Sequence, residues 1–175
     1  MASQDHNLSS FDSPVPSAEA MKFGIVVAEW NCQVTEALLS GAVRTLRAAG
    51  CPENNIIVKY VPGTYELTMG SQFFGEYTDV DAVIALGCVV RGETPHFDYV
   101  CQAATHGINQ VAVSWNMPVA FGVLTVDSQE QALDRAGGKH GNKGDEAAAA
   151  AIKMVKLQKE METSAESKSD RRQVN

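Results

Sequence analysis

The chain has 175 residues and a formal net charge of −7, with 45% hydrophobic, 20% charged and 7% aromatic residues. That length fits one domain whose core is large enough to fold without disulfide or metal staples. The acidic balance argues against nucleic acid or an anionic membrane as the main partner, but an anionic small molecule needs only local positive charge.

Residues 1–20 are rich in Ser, Asp, Asn and Pro, show no period, and read as a disordered tail. They lack the basic region and apolar stretch of a secretory signal. No apolar run approaches the ~20 residues needed to cross a bilayer, so a soluble cytoplasmic protein is expected. Residues 21–158 carry the domain. Phe23 to Ala28 is a continuous apolar run rich in β-branched residues, the pattern of a strand buried on both faces. Val34, Ala37, Leu38, Gly41, Ala42, Thr45, Leu46 and Ala49 share one helix face, with Gly50 as the stop. Ile56 to Val61 is a second strand ended by Pro62-Gly63, and a helix follows from about Glu66 to Phe74. Ala82 to Val90 is a third buried strand. Thr94-Pro95 makes a good helix start, Thr as cap and Pro in the first turn. That helix is expected to bury Phe97, Val100, Cys101, Ala104, Ile108, Val111 and Ala112. Val119 to Val126 is a fourth strand, Ser128 to Ala136 a short helix, and Lys143 to about Gln158 a last helix. Residues 159–175 are polar and mixed in charge, and read as a flexible tail.

Strands separated by helices pair in parallel through right-handed crossovers. The expected fold is a three-layer α/β/α sandwich of flavodoxin-like type with a four-stranded parallel sheet. Ligands of such open sheets bind outside the carboxyl ends of the strands.

Those ends carry distinctive residues. Trp30 follows the first strand, where its ring either stacks on a planar ligand or packs under a neighbouring loop or subunit. Thr64, Tyr65 and Glu66 follow the second and offer either polyol contacts or a helix cap, the latter favoured by the helix dipole. After the third strand, Arg91-Gly92-Glu93-Thr94-Pro95-His96 is a glycine-bearing loop running into a helix start, which presents free N–H groups to an anion such as phosphate. His96 lies within one turn of it, and histidine suits proton transfer near neutral pH. Phe121 reads as core within the fourth strand, and Arg135 as a cation at a helix C-terminus.

Cys32, Cys51, Cys88 and Cys101 form no CxxC pair and read as buried, reduced thiols. The four histidines show no metal-ligand spacing. The loop Gly137 to Gly144 is basic and glycine-rich without the Walker pattern, and no dinucleotide fingerprint is present. The run Glu146 to Ile152 places small side chains around most of a helix, which calls for burial on several sides and points to subunit contacts.

Taken in order, Val61-Pro62-Gly63-Thr64-Tyr65-Glu66, the stretch Leu86 to Val100, Phe121-Gly122-Val123-Leu124-Thr125, Asp134-Arg135-Ala136-Gly137 and Gly141-Asn142-Lys143-Gly144 resemble the 6,7-dimethyl-8-ribityllumazine synthase family. The resemblance covers roughly Lys22 to Leu157. It implies condensation of 5-amino-6-(D-ribitylamino)uracil with 3,4-dihydroxy-2-butanone 4-phosphate, releasing phosphate and water, without metal or redox cofactor. It implies that Trp30 stacks on the pyrimidine, Thr64, Tyr65 and Glu66 hold the ribityl chain, and the backbone of Cys88, Val89 and Val90 addresses the pyrimidine edge. Glu93 and Thr94 then form the phosphate loop with Arg135 as its cationic partner, His96 transfers protons, and Phe121 comes from across a subunit interface. It also implies a homo-pentamer and, given the compact 137–144 loop, a sixty-subunit icosahedral shell. Two other readings use the same scaffold: an archaeal-type riboflavin synthase, or a catalytically idle shell or flavin-binding protein. The contexts of His96 and Arg135 favour the synthase over the first, and the intact charged and aromatic set argues against the second.

Overall fold

The computed structural model describes the backbone over residues 7–173 and side chains over residues 7–165. Four strands, β1 (Phe23–Ala28), β2 (Ile56–Val61), β3 (Ala82–Val90) and β4 (Val119–Val126), fall where the apolar runs placed them. They form one parallel sheet in the order β2-β1-β3-β4. Helices α1 (Cys32–Ala48), α2 (Leu67–Tyr77), α3 (His96–Trp115), α4 (Gln129–Asp134) and α5 (Lys143–Gln173) connect or follow the strands.

Strand alternation divides the core between the two faces. Phe23, Ile25 and Val27 of β1 and Ala82, Ile84, Leu86 and Cys88 of β3 pack with α1 and α5. Val26 and Ala28, with Val83 and Ala85, pack with Leu67 and Phe74 of α2 and Ile108 of α3. The expected α/β/α sandwich is thus present, and the continuous apolar strands are continuous because helices cover both faces.

Local signals explain two of the helix ends. Gly50 (φ 89°) closes α1 by donating its N–H to the Arg47 carbonyl, while Cys51 donates to Leu46, the two bonds of a Schellman motif. Ser128 caps α4, its Oγ accepting from the Gln131 N–H at 3.2 Å. That helix is shorter than expected, because Ser128 and Arg135 are its caps rather than its turns.

Several expectations need correction. The helix start expected at Thr94-Pro95 is displaced: Pro95 is the N-cap of α3 and no side chain caps it. Only Ala104, Ile108 and Val111 of α3 are fully buried; Phe97, Val100, Cys101 and Ala112 are half-buried, and Val100 borders an open cleft. Of the four thiols, Cys51 and Cys88 are buried, Cys101 is half-buried and Cys32 is exposed at the start of α1. The Ala-rich start of α5 finds its cover inside the chain: Ala147, Ala148, Ala151 and Ile152 belong to the core shared with α1 and the sheet. Gly144 permits this approach, since a Cβ there would run into the Leu38 carbonyl. Small residues on α5 therefore require no second subunit to explain them.

The segments read as tails also differ where the structure describes them. From Asn7 onward the N-terminal segment lies on the domain, with Leu8 and Ala18 buried. Residues 1–6 of that expected tail lie outside the described residues. At the other end α5 continues as helix to Gln173 instead of stopping near Gln158. The loop after α4 holds two short antiparallel strands, β5 (Ala136–Gly138) and β6 (Gly141–Asn142), which the glycine-rich sequence did not announce.

Candidate active site

The strand order puts the topological switch between β1 and β3, where successive crossovers leave in opposite directions. A cleft of about 700 Å³ opens there, lined by Trp30, Asn31, Gly63, Thr64, Tyr65, Glu66, Cys88, Val89, Val90, His96 and Val100. Three separate loops and one strand end thus converge, and eight of the expected site residues line one cavity.

The convergence has an identifiable anchor. The Cys88 carbonyl accepts a hydrogen bond from Asn31 Nδ2 at 2.9 Å and from Thr64 Oγ1 at 3.4 Å. The loops after β1 and β2 are therefore both tied to the end of β3. Asn31 adopts φ 62°, a left-handed conformation Asn tolerates better than most residues. That turn starts α1 at Cys32, while the Trp30 N–H donates to the Pro62 carbonyl at 3.2 Å. The Trp30 ring is left 71% exposed, although its backbone is fixed. Such a ring offers a preset stacking face.

Tyr65 is exposed and Glu66 half-buried; Glu66 is the N-cap of α2, but its side chain makes no capping bond. Cys88 is 2% exposed, and burial pushes its thiol up to about 11. The thiol is neutral at physiological pH and serves as wall rather than nucleophile.

His96 is the first residue of α3, exposed and facing the cleft. Glu93 and Thr94 are exposed in the loop just before it. Arg91 braces this loop: Nε lies 3.1 Å from Asp127 Oδ1, Nη1 lies 3.4 Å from Asp98 Oδ1, and the guanidinium sits 4.0 Å from the Phe97 ring centroid. A glycine loop held by an arginine strut, ending at a helix N-terminus, is suited to an anion.

Four expected residues do not line the cleft: Glu93 and Thr94 stand in the adjoining loop, and two others lie elsewhere in the single chain. Phe121 lies well before the end of β4 and packs half-buried against the core on the α2–α3 side. Arg135 caps α4, with Nη1 donating to the Gln131 carbonyl at 3.0 Å. Three lining residues were missed by sequence reasoning: Asn31, Gly63 and Val100. Asn31 carried a usable signal, as a turn-prone residue three positions past a buried strand, and Gly63 as part of the turn ending the second strand. Among the described residues no group of three His, Cys, Asp or Glu side chains is placed to hold a metal. No helix among them is long and apolar enough to cross a membrane.

A doubly wound parallel sheet with a cleft at its carboxyl edge defines a protein of the flavodoxin-like α/β class. Residues 20–159 match the family model described as 6,7-dimethyl-8-ribityllumazine synthase. Curated proteins of that name are similar along nearly the whole chain. The one from Cytophaga hutchinsonii is 56% identical over 155 residues, covering 89% of this chain and 98% of the relative. That from Porphyromonas gingivalis is 55% identical over 160 residues, covering 91% and 99%. That from Flavobacterium johnsoniae is 47% identical over 161 residues, covering 91% and 85%. The chain belongs to the 6,7-dimethyl-8-ribityllumazine synthase family, and it is a transferase of riboflavin biosynthesis.

Proposed function

We propose that the cleft joins 5-amino-6-(D-ribitylamino)uracil to 3,4-dihydroxy-2-butanone 4-phosphate, forming 6,7-dimethyl-8-ribityllumazine with release of phosphate and water. The observation that carries this is the placement of Trp30, the Thr64-Tyr65-Glu66 turn, the end of β3 and His96 around one cavity. Trp30 stacks on the pyrimidine. Tyr65 and Glu66 face the ribityl hydroxyls, with Thr64 holding the turn against β3 through Cys88. The backbone of Cys88, Val89 and Val90 borders the pyrimidine edge, with the Cys88 carbonyl already accepting two bonds from the neighbouring loops.

The phosphate of the second substrate sits at the loop carrying Glu93 and Thr94. Arg135 supplies its charge-assisted hydrogen bonds, and Phe121 closes the aromatic side of the site. Both come from a neighbouring copy in this reading, which accounts for their distance from the cleft of their own chain. Amine attack on the ketone forms a carbinolamine that loses water to an imine; loss of the proton on the adjacent hydroxyl-bearing carbon then expels phosphate and leaves an enol, the enol takes up a proton to become a methyl ketone, and the ribityl-bearing nitrogen attacks that carbonyl and closes the second ring with loss of a second water. These steps move protons on and off nitrogen, oxygen and carbon, and His96 stands at the loop suited to relay them. Holding both substrates in one geometry supplies much of the acceleration.

A pentamer is the assembly that completes these sites, with a sixty-subunit shell as the closed form. Its support is the exposed apolar surface of α2 and α3, where Met69, Phe73, Tyr77, Tyr99 and Val113 face outward. The place of work is the cytoplasm, with the substrates as its small-molecule partners. The purified protein, mixed with both substrates, is expected to raise lumazine absorbance faster than the spontaneous reaction. No acceleration would overturn the assignment.

A further inference from the structure

Arg135 is fixed in an unusual way. Its side chain leans back on α4, while its backbone is held by the hairpin that follows. The Lys143 N–H donates to the Arg135 carbonyl at 2.8 Å, and the His140 N–H donates to the Asp134 carbonyl at 2.8 Å. The hairpin is in turn clamped from the N-terminal segment. The Leu8 N–H donates to the His140 carbonyl at 2.8 Å, and the Asn142 N–H donates to Ser9 Oγ at 3.0 Å. Ser9 Oγ itself donates to Asp145 Oδ2 at 2.5 Å. Asp145 is a buried carboxylate, its side chain 3% exposed, and it also receives Arg44 Nη2 at 2.6 Å and Thr45 Oγ1 at 2.9 Å. Gly141, at φ 81°, lets the two backbones meet, since a Cβ there would strike Asn7, Leu8 and Ser9.

We propose that Ser9 is a positioning residue for phosphate binding: its hydroxyl links the start of α5 to the hairpin, and so fixes the backbone from which Arg135 reaches the phosphate. Ser9 is suited to this because a hydroxyl both donates and accepts. It spends its hydrogen on Asp145 and its lone pair on the Asn142 amide. The segment lies outside the residues matched by the family model, which begin at 20. The inference rests on the reading of Arg135 as a phosphate ligand, and the experiment separates the two.

The test compares the intact enzyme with Ser9→Ala, Ser9→Thr, Arg135→Ala and a variant lacking residues 1–10. The readouts are KM for each substrate, kcat, and inhibition by inorganic phosphate. Ser9→Ala is expected to raise KM for the phosphorylated ketone about three- to tenfold, the scale of one or two lost hydrogen bonds. Phosphate inhibition weakens by the same factor, KM for the pyrimidine is unchanged, and Ser9→Thr restores the original values. The truncated chain shows the same selective loss. Equal rises in both KM values, or unchanged phosphate inhibition in Ser9→Ala and in the truncated chain, overturn the proposal. If Arg135→Ala leaves phosphate inhibition intact, the reading of Arg135 fails. If Arg135→Ala weakens inhibition and neither N-terminal variant does, Ser9 alone is refuted.

Discussion

Trp30 combines a fixed backbone with an almost bare ring, and that contrast separates its two effects. The ring contributes little buried area to folding, being 71% exposed. Replacing it with alanine should leave the urea midpoint nearly unchanged. Affinity for the ribitylaminouracil should fall about five- to 150-fold, since stacking on an aromatic is worth about 1–3 kcal/mol. A titration monitored by ligand absorbance checks this, and undiminished affinity would remove Trp30 from the site. His96→Ala should slow turnover only moderately, because every positioning contact survives it; single-turnover rates identical to those of the parent would discard the proton relay. Cys88 makes a prediction about pH. Its buried thiol holds a proton up to about 11, whereas in the unfolded chain it titrates near 9. Below about 9 both states are protonated and the full stability is present. As pH rises from there toward 11 the unfolded state loses its proton first, so stability falls. Urea midpoints followed across that window should decline more steeply for the parent than for Cys88→Ala. Parallel declines would mean that Cys88 is not the group responsible.

Among the elements, the close meeting of α1 and α5 is the most sensitive to change. A Cβ at Gly144 would collide with the backbone carbonyl of Leu38, which cannot move aside as a side chain can. Gly144→Ala should therefore destabilise the fold by about 3 kcal/mol, the upper range for overpacking. Gly50→Ala, which forces alanine to φ 89° at the end of α1, should cost about 1–2 kcal/mol. Chemical denaturation at matched protein concentration orders the two, and a larger loss at Gly50 would contradict the packing argument. These elements also show what the amino-acid order makes legible. β1 and β3 could be read because two-sided burial leaves an unbroken apolar run, and the stop of α1 because glycine suits its left-handed turn. The docking of Leu8 and Ser9 could not, because one buried leucine and one bonded serine leave no periodic mark in a polar segment. The β5–β6 hairpin was hidden for a related reason: glycines at Gly137, Gly138 and Gly141 look alike in a loop and in a tight hairpin. The half-burial of Phe97 and Val100 was equally out of reach, because helical spacing reveals a face but not how completely other elements cover it. Around the cleft, residue types drew attention to Trp30 and His96, while Glu66 read rather as a helix cap; the tie from Asn31 and Thr64 to the Cys88 carbonyl emerges only when three loops are seen together.

At the level of the whole molecule, the cleft, the outward apolar residues of α2 and α3, and the remoteness of Phe121 and Arg135 from their own chain's cavity make one expectation. Light scattering on the purified protein should report five chains or sixty. A stable, fully active single chain would refute the shared site. The sheet order has a separate consequence, for the ribosome. β1 is among the first strands made, yet it is interior, flanked by β2 and β3. Its second edge stays open until Ala82 to Val90 has been synthesised, more than fifty residues later. At about 5–20 residues per second that is a wait of several seconds for a fully apolar segment. The nascent chain therefore passes through a period in which Phe23 to Ala28 is a sticky, unpaired edge. Slow elongation over residues 29–81 should lengthen that window and favour aggregation over native yield.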